Sequence, residues 1–274
     1  MNKTGPIGVF DSGYGGLTVL QEIKKELPEY DYIYLGDNAR APYGHRSFEV
    51  VHDFTLQAVR YLKKQGCRLV ILACNTSSAK ALRTIQQIDL LHEDPEFRVL
   101  GVIRPSTETI GGMSKNNSIG ILGTQGTIQS ESYKIELQKF SPETRVFHHA
   151  CPMWVPLIES NKHNSDIGQK VIENDIKELL EQDPRMDTIL LACTHYPLVI
   201  KQVQKIVGKD IRVVSQGPIV ARSLSNYLMR NEFMKNQISR DGTRTFLTTE
   251  NKEIFNEAAT QFMSEKVSSV HVKF

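Results

Sequence analysis

Two cysteines stand in matching contexts. Ile71-Leu72-Ala73-Cys74-Asn75-Thr76 is echoed 119 positions later by Leu190-Leu191-Ala192-Cys193-Thr194-His195. Each thiol follows an apolar run of strand character and precedes a helical segment, the strand-end location where open α/β sheets bind ligands. Pro197 suits a first helical turn after Cys193, and Leu198, Ile200 and Val203 continue the pattern. A helix dipole at that place favours thiolate, while burial opposes it. A single free cysteine is ordinarily a small buried hydrophobe. Two in matching contexts, each followed by amide, hydroxyl or imidazole groups, point to reactive use. If two halves of the chain face each other across a cleft, such a pair can flank one carbanion. One thiolate takes a proton from carbon, the opposite thiol returns one to the other face, and the stereocentre inverts. A thiol of pKa about 8.5 is a weak base for such a proton, so the site must desolvate the thiolate and stabilise charge on a carboxylate.

Other residues gain interest beside that pair. Asp11-Ser12-Gly13-Tyr14-Gly15-Gly16 follows a short apolar run, but Thr18 stands where a dinucleotide fingerprint needs glycine or alanine, and no Gly-Lys-Ser/Thr follows. Its glycines let backbone N–H groups approach a small anion that Asp11 would face; the alternative is a tight turn with Asp11 as a helix N-cap. The loop from Asp37 to Gly44 can present Tyr43 and backbone donors. His195 is either an acid/base neighbour of Cys193 or a structural histidine, and Glu159 reads by default as a solvated carboxylate at a helix start. Cys67 reads as packing and Cys151 as structural. No Cys-x2-Cys or His-Glu-x2-His occurs, and the His148-His149 pair lacks a partner at ligand spacing, so no metal is assigned.

The elements that must position these residues are legible from periodicity. Ile7 to Phe10, Tyr32 to Leu35, Leu69 to Ala73, Arg98 to Val102, Ser118 to Leu122, Thr188 to Ala192 and Arg212 to Val214 read as buried parallel strands. Leu17, Leu20, Ile23 and Leu27 mark a helix stopped by Pro28. Ser47 caps another, carrying Val51, Phe54, Ala58 and Leu62 and ended by Gly66. Ile167, Val171, Ile172, Ile176, Leu179 and Leu180 mark a third. A second echo sets Ile7-Gly8-Val9-Phe10-Asp11-Ser12 against Ile119-Gly120-Ile121-Leu122-Gly123-Thr124, 112 positions on. Two similar offsets imply duplication. The expected fold is α/β: two similar three-layer α/β domains with mostly parallel sheets facing each other across a buried cleft. A chain of 274 residues accommodates that.

Lys plus Arg is 33 against 31 acidic residues, with no basic run, which excludes a dedicated nucleic-acid or membrane-surface binder. Apolar runs such as Leu69 to Cys74 are too short to cross a bilayer. With no secretory leader pattern and only four cysteines, the expectation is a cytoplasmic protein with reduced thiols.

Taken in order, Gly8-Val9-Phe10-Asp11-Ser12-Gly13-Tyr14-Gly15-Gly16-Leu17, Pro42-Tyr43-Gly44, Ala73-Cys74-Asn75-Thr76, Cys151-Pro152-Met153-Trp154-Val155-Pro156-Leu157-Ile158-Glu159 and Cys193-Thr194-His195-Tyr196-Pro197 resemble the motifs of the glutamate racemases, within the aspartate/glutamate racemase superfamily. The resemblance spans nearly the whole chain. It implies cofactor-independent interconversion of L- and D-glutamate, supplying D-glutamate for peptidoglycan, by a homodimer whose geometry varies within the family. It implies Cys74 acting on the D-isomer and Cys193 on the L-isomer, Asp11 assisting the first, and His195 and Glu159 the second. Substrate contacts fall to Asp11, Ser12, Pro42, Tyr43, Gly44, Asn75, Thr76, Thr124, Thr127, Thr194 and His195. It also implies a first domain of residues 1–99 completed by 214–274, and a second of 100–213. Val214-Ser215-Gln216 departs from the pattern, which often carries an acidic residue there.

Rival readings are a racemase for aspartate, a Cys193–His195 hydrolase that leaves Cys74 idle, a non-catalytic two-lobed binder of acidic amino acids, and a pyridoxal enzyme, for which no lysine motif is present.

Overall fold

The computed structural model describes residues 4–91, 93–263 and 265–274. Its strands are β1 (Ile7–Asp11), β2 (Tyr32–Gly36), β3 (Leu69–Leu72), β4 (Arg98–Gly101), β5 (Ser118–Gly123), β6 (Arg145–Ala150), β7 (Thr188–Ala192), β8 (Arg212–Ser215), β9 (Arg244–Thr248) and β10 (Ser269–His271). They form two sheets, a six-stranded one in the order β10-β9-β2-β1-β3-β4 and a four-stranded one in the order β6-β5-β7-β8. Every pairing is parallel. The order β2-β1-β3-β4 repeats as β6-β5-β7-β8, so the two sequence echoes fall on strands that are neighbours in each sheet. Ile7 pairs with Leu69 in one and Ile119 with Thr188 in the other.

The central strands β1, β3, β5 and β7 are buried along their whole length. Covered on both faces by helices, they read as unbroken apolar runs, which made them visible in the sequence. β6, β9 and β10 were not expected. β6 is Arg-Val-Phe-His-His-Ala and only half buried, and β10 is three residues long with two of them exposed. Both are sheet edges, where a one-sided environment admits polar residues.

The helices follow their signals closely. Gly16–Glu26 buries Leu17, Leu20 and Ile23 and packs on the helix Gly217–Arg230. Ser47 Oγ accepts from Val50 N at the start of Phe48–Lys64, and Gly66, at φ +91°, ends that segment in the left-handed region. Asp166–Leu180 buries Ile172, Ile176 and Leu179 but leaves Ile167, expected on the same face, 74% exposed. After Cys193 the chain makes a 3-10 turn, Tyr196–Val199, before the helix Ile200–Val207 begins. Among the described residues, no helix is long and apolar enough to cross a membrane.

Candidate active site

The parallel strands deliver their C-terminal ends to one cavity of about 50 Å³, lined from the six-stranded side by Ser12, Tyr43, Gly44, Cys74, Asn75 and Thr76 and from the four-stranded side by Thr124, Glu159, Cys193, Thr194 and His195. Pro42 lines it too, following a cis Ala41–Pro42 peptide bond. Two expected contact residues lie one layer back. Asp11 is 1% exposed behind Thr194, and Thr127 is 1% exposed behind Thr76 and Thr124. Of the other lining residues, Gly13, Ala41, Pro152, Val155 and Pro156 lie in stretches the sequence had already picked out without a role of their own, whereas His45 and Gln125 were missed, their only signal being adjacency to Gly44 and Thr124.

Around Cys74 the groups are arranged to keep a proton. The thiol donates to Ser12 Oγ at 3.5 Å, and its sulfur accepts from Ser77 N at 3.4 Å, capping the short helix Asn75–Lys80. Burial, and then the Asp11 carboxyl, push the Cys74 thiol up to about 11, against the opposing bonds from Ser77 and Ser12. The contest between burial and helix dipole is therefore won by burial at this cysteine. Asp11 is not the helix N-cap: the cap position is Gly15, while Asp11 Oδ2 accepts from Gly13 N at 3.0 Å. Burial raises the Asp11 pKa, with nearby His195 pulling it back.

Cys193 has a different neighbour. Its Sγ lies 3.9 Å from His195 Nδ1, and His195 Nε2 lies 2.8 Å from Glu159 Oε1. Burial works against charge on His195, but hydrogen bonds to the Cys193 sulfur and the Glu159 carboxylate outweigh it and carry its pKa up to about 10. Glu159 is thus neither fully solvated nor at a helix start. It ends the helix Trp154–Glu159, its side chain 35% exposed, and reaches back to the histidine.

The two walls touch. Thr194 Oγ1 donates to Asp11 Oδ1 at 3.3 Å and Thr18 Oγ1 to the Thr194 carbonyl at 2.9 Å. Gly126 N donates to the Gly44 carbonyl at 2.7 Å, and the Thr76, Thr124 and Thr127 hydroxyls lie 3.0 to 3.4 Å from one another. Gly15 has to be glycine for this approach, since a Cβ there would lie 2.3 Å from Thr194 Oγ1 and 2.4 Å from His195 Nδ1.

Of the other cysteines, Cys67 packs in the core beside Leu62 and Val70, and Cys151 is buried while also bordering the cavity. His149, Cys151 and Asp175 bring one ligand atom each within 4.8 Å of one another, a grouping that sequence spacing could not reveal. Both Asp175 oxygens are already engaged there, by His149 Nε2 at 3.0 Å and by the Trp154 indole N–H at 2.6 Å. With each of its groups hydrogen-bonded, the cluster reads as a satisfied polar anchor between β6 and the helix Asp166–Leu180.

A duplicated parallel α/β scaffold with one thiol per half at a shared cavity is the arrangement of an amino-acid racemase. The family model described as Asp/Glu/Hydantoin racemase matches residues 7–224; the chain belongs to that family and is an isomerase that racemises amino acids. It is 37% identical over 268 residues to a glutamate racemase of Streptococcus suis, covering 98% of each chain. Among solved structures it is similar to a glutamate racemase isoform from Bacillus anthracis, with TM-score 0.88, 33% identity and coverage of 99% of this chain and 98% of that one. A glutamate racemase from Francisella tularensis in complex with D-glutamate is similar at TM-score 0.85 and 29% identity, with 98% of each chain covered.

Proposed function

We propose that the chain interconverts L- and D-glutamate by passing protons between carbon and two thiols, Cys193 working on the L-isomer and Cys74 on the D-isomer. In the L-to-D direction the Cys193 thiolate takes the α-hydrogen as a proton, the C–H electron pair is held on the α-carbon and its carboxylate, and the Cys74 thiol delivers a proton to the opposite face. Cys193 ends as thiol and Cys74 as thiolate, and the reverse reaction restores both. The observation that carries this reading is that equivalent strand ends of the two duplicated halves bring one cysteine each to the same cavity.

The neighbours fit the roles the resemblance suggests. His195, its proton held by Cys193 and Glu159, stands beside that sulfur, whereas burial and Asp11 favour thiol on Cys74. Asn75, Thr76, Thr124 and Thr194 supply donors for the substrate's carboxylates and for the charge that develops on one of them. The cavity between the walls is small, about 50 Å³, and we read substrate entry as an opening of the walls followed by closure. We read the moving bodies as two lobes; the division expected from the sequence, 1–99 with 214–274 against 100–213, shifts by two residues at each cut, because β4 to Gly101 pairs in the six-stranded sheet and β8 to Ser215 in the four-stranded one. Family resemblance extends the reading to a cytoplasmic homodimer whose product enters peptidoglycan; light scattering and complementation of a D-glutamate auxotroph check those two points.

The central test is incubation of the purified protein with L-glutamate in D₂O followed by chiral separation and mass analysis. D-glutamate carrying α-deuterium is expected, with aspartate turned over far more slowly. Recovery of L-glutamate without D-isomer or deuterium overturns the reading.

A further inference from the structure

Asn75 borders the cavity beside Cys74, yet its side chain is held in part from the other half of the molecule, by Tyr133. Its Nδ2 donates to Gln216 Oε1 at 2.7 Å, Gln216 Nε2 donates to the Tyr133 hydroxyl at 2.6 Å, and that hydroxyl donates to Asn75 Oδ1. The three bonds close a ring in which every member donates once and accepts once around the same direction. Gln216 Nε2 directs its second hydrogen to Ser106 Oγ at 2.8 Å, and Ser106 in turn donates to the Val102 carbonyl at 2.7 Å. Asn75, Gln216, Tyr133 and Ser106 are all between 0 and 3% exposed. Burial raises the Tyr133 pKa, which keeps its hydroxyl a donor.

A ring of this kind leaves no freedom in its amides. Flipping Asn75 would set its N–H₂ against the Tyr133 O–H and its oxygen against the Gln216 oxygen, leaving buried groups unpaired. One Nδ2 hydrogen of Asn75 is left over, on a residue that lines the cavity. The ring also joins elements that belong to different sheets. Asn75 follows β3 of the six-stranded sheet, whereas Gln216 follows β8 of the four-stranded sheet and Tyr133 lies in the helix Ser132–Phe140 after β5.

Resting on the glutamate reading above, we propose that Gln216 is a positioning residue: by closing this ring it aims the free N–H of Asn75 at a substrate carboxylate, and it does so only when the two halves are together. Nothing touches the reacting carbon through Gln216. Its effect falls on binding, because the ring prepays the ordering of Asn75 that an unrestrained amide would owe at each binding event.

Steady-state kinetics on Gln216→Leu, Tyr133→Phe and the double variant, each checked for folding by circular dichroism and Tm, test this. Each single variant is expected to raise KM for glutamate about tenfold or more, with a smaller fall in kcat, and the double variant to do no worse than the stronger single, since a ring is broken once. Gln216→Glu supplies a readout that packing alone would not move. A buried carboxyl keeps its proton at mildly acid pH and can then donate to Tyr133, but loses that proton as pH rises. Its KM is expected near wild type at about pH 6 and raised at about pH 8.5, relative to wild type at each pH. KM within twofold of wild type in the folded single variants, additive effects in the double variant, or a Gln216→Glu KM ratio independent of pH overturns the proposal. Wild-type protein inert on glutamate overturns the underlying reading and this inference with it, whereas an active wild type with indifferent variants overturns this inference alone.

Discussion

The Cys74 wall and the Cys193 wall come from the same strand position in duplicated sheets, yet they are chemically opposite. Cys74 is surrounded by an acid, a hydroxyl and a backbone N–H, and burial holds its thiol up to about 11. Cys193 faces an imidazole backed by a carboxylate, and that imidazole keeps its proton up to about 10. Duplication therefore supplied the placement of two sulfurs, and later divergence gave them different neighbours. Racemisation needs one thiolate and one thiol at a time, a state that even an identical pair reaches by sharing one proton. The difference between the walls lies in what stands beside each sulfur, a carboxyl at Cys74 and a proton-bearing imidazole at Cys193.

The strongest way to break the comparison is to remove either sulfur. Cys74→Ser and Cys193→Ser are each expected to lower racemisation by about 10³-fold or more, since a serine hydroxyl is far too weak an acid and base to replace a thiol pair acting as a unit. Chiral chromatography after long incubation measures it, and full activity in Cys74→Ser would exclude a second thiol from the reaction.

Removing a helper from each wall sharpens the comparison. Asp11→Asn and His195→Asn are each expected to lower kcat/KM by about 10² to 10⁴-fold, the usual span for a positioned acid or base. The two enantiomers have equal free energy in water, so kcat/KM must fall equally in both directions whichever wall is damaged. The wall at fault appears instead in the α-deuterium isotope effect measured separately from D- and L-[2-²H]glutamate. Asp11→Asn should alter chiefly the effect for the D-isomer, and His195→Asn chiefly that for the L-isomer. Identical changes in both would dissolve the distinction.

Much of this was legible in the sequence, for a physical reason. A strand buried on both faces has to be apolar throughout, so β1, β3, β5 and β7 announced themselves, and with them the residues at their ends: Asp11, Cys74, Thr124 and Cys193. The echo between halves was visible because each cysteine strand lies beside its partner strand in the same order. The edge strands β6 and β10, and β9 beside β10, were not legible, since their mixed polar and apolar residues carry no compelling pattern. Glu159 gained its interest only from the family motif, because its link to His195 spans 36 positions that spacing cannot fold. The Asn75, Tyr133 and Gln216 ring was wholly invisible, each member being an ordinary polar residue until three separate elements converge.

Glu159→Gln perturbs one wall more gently. The amide still accepts a hydrogen bond from His195 but no longer stabilises its positive charge, so the His195 pKa should fall from about 10. Activity near neutrality is expected to drop about tenfold, and the alkaline limb of the pH profile to move to lower pH. An unmoved limb would assign the ionisation to another group.

The smallest effect is on stability, and its sign follows from the same histidine. Folding carries the His195 pKa from its ordinary value of about 6.5 to about 10, so between those values the folded protein holds a proton that the unfolded chain has released. Unfolding then gives up that proton, and raising the pH favours it. The contribution is complete below pH 6.5 and is lost as pH climbs toward 10, with a slope of at most about 1.4 kcal/mol per pH unit for one proton. Cys74 acts in the same direction at higher pH, between its ordinary value of 9.0 and about 11. Denaturant melts of wild type and His195→Asn across pH 6 to about 9.5 separate the two walls. Wild type should lose stability steadily over that range, and His195→Asn should follow a flatter curve until the Cys74 region is reached. Parallel curves would mean that the charge on the Cys193 wall is not retained in the folded protein, and the difference between the walls would then have to lie in geometry alone.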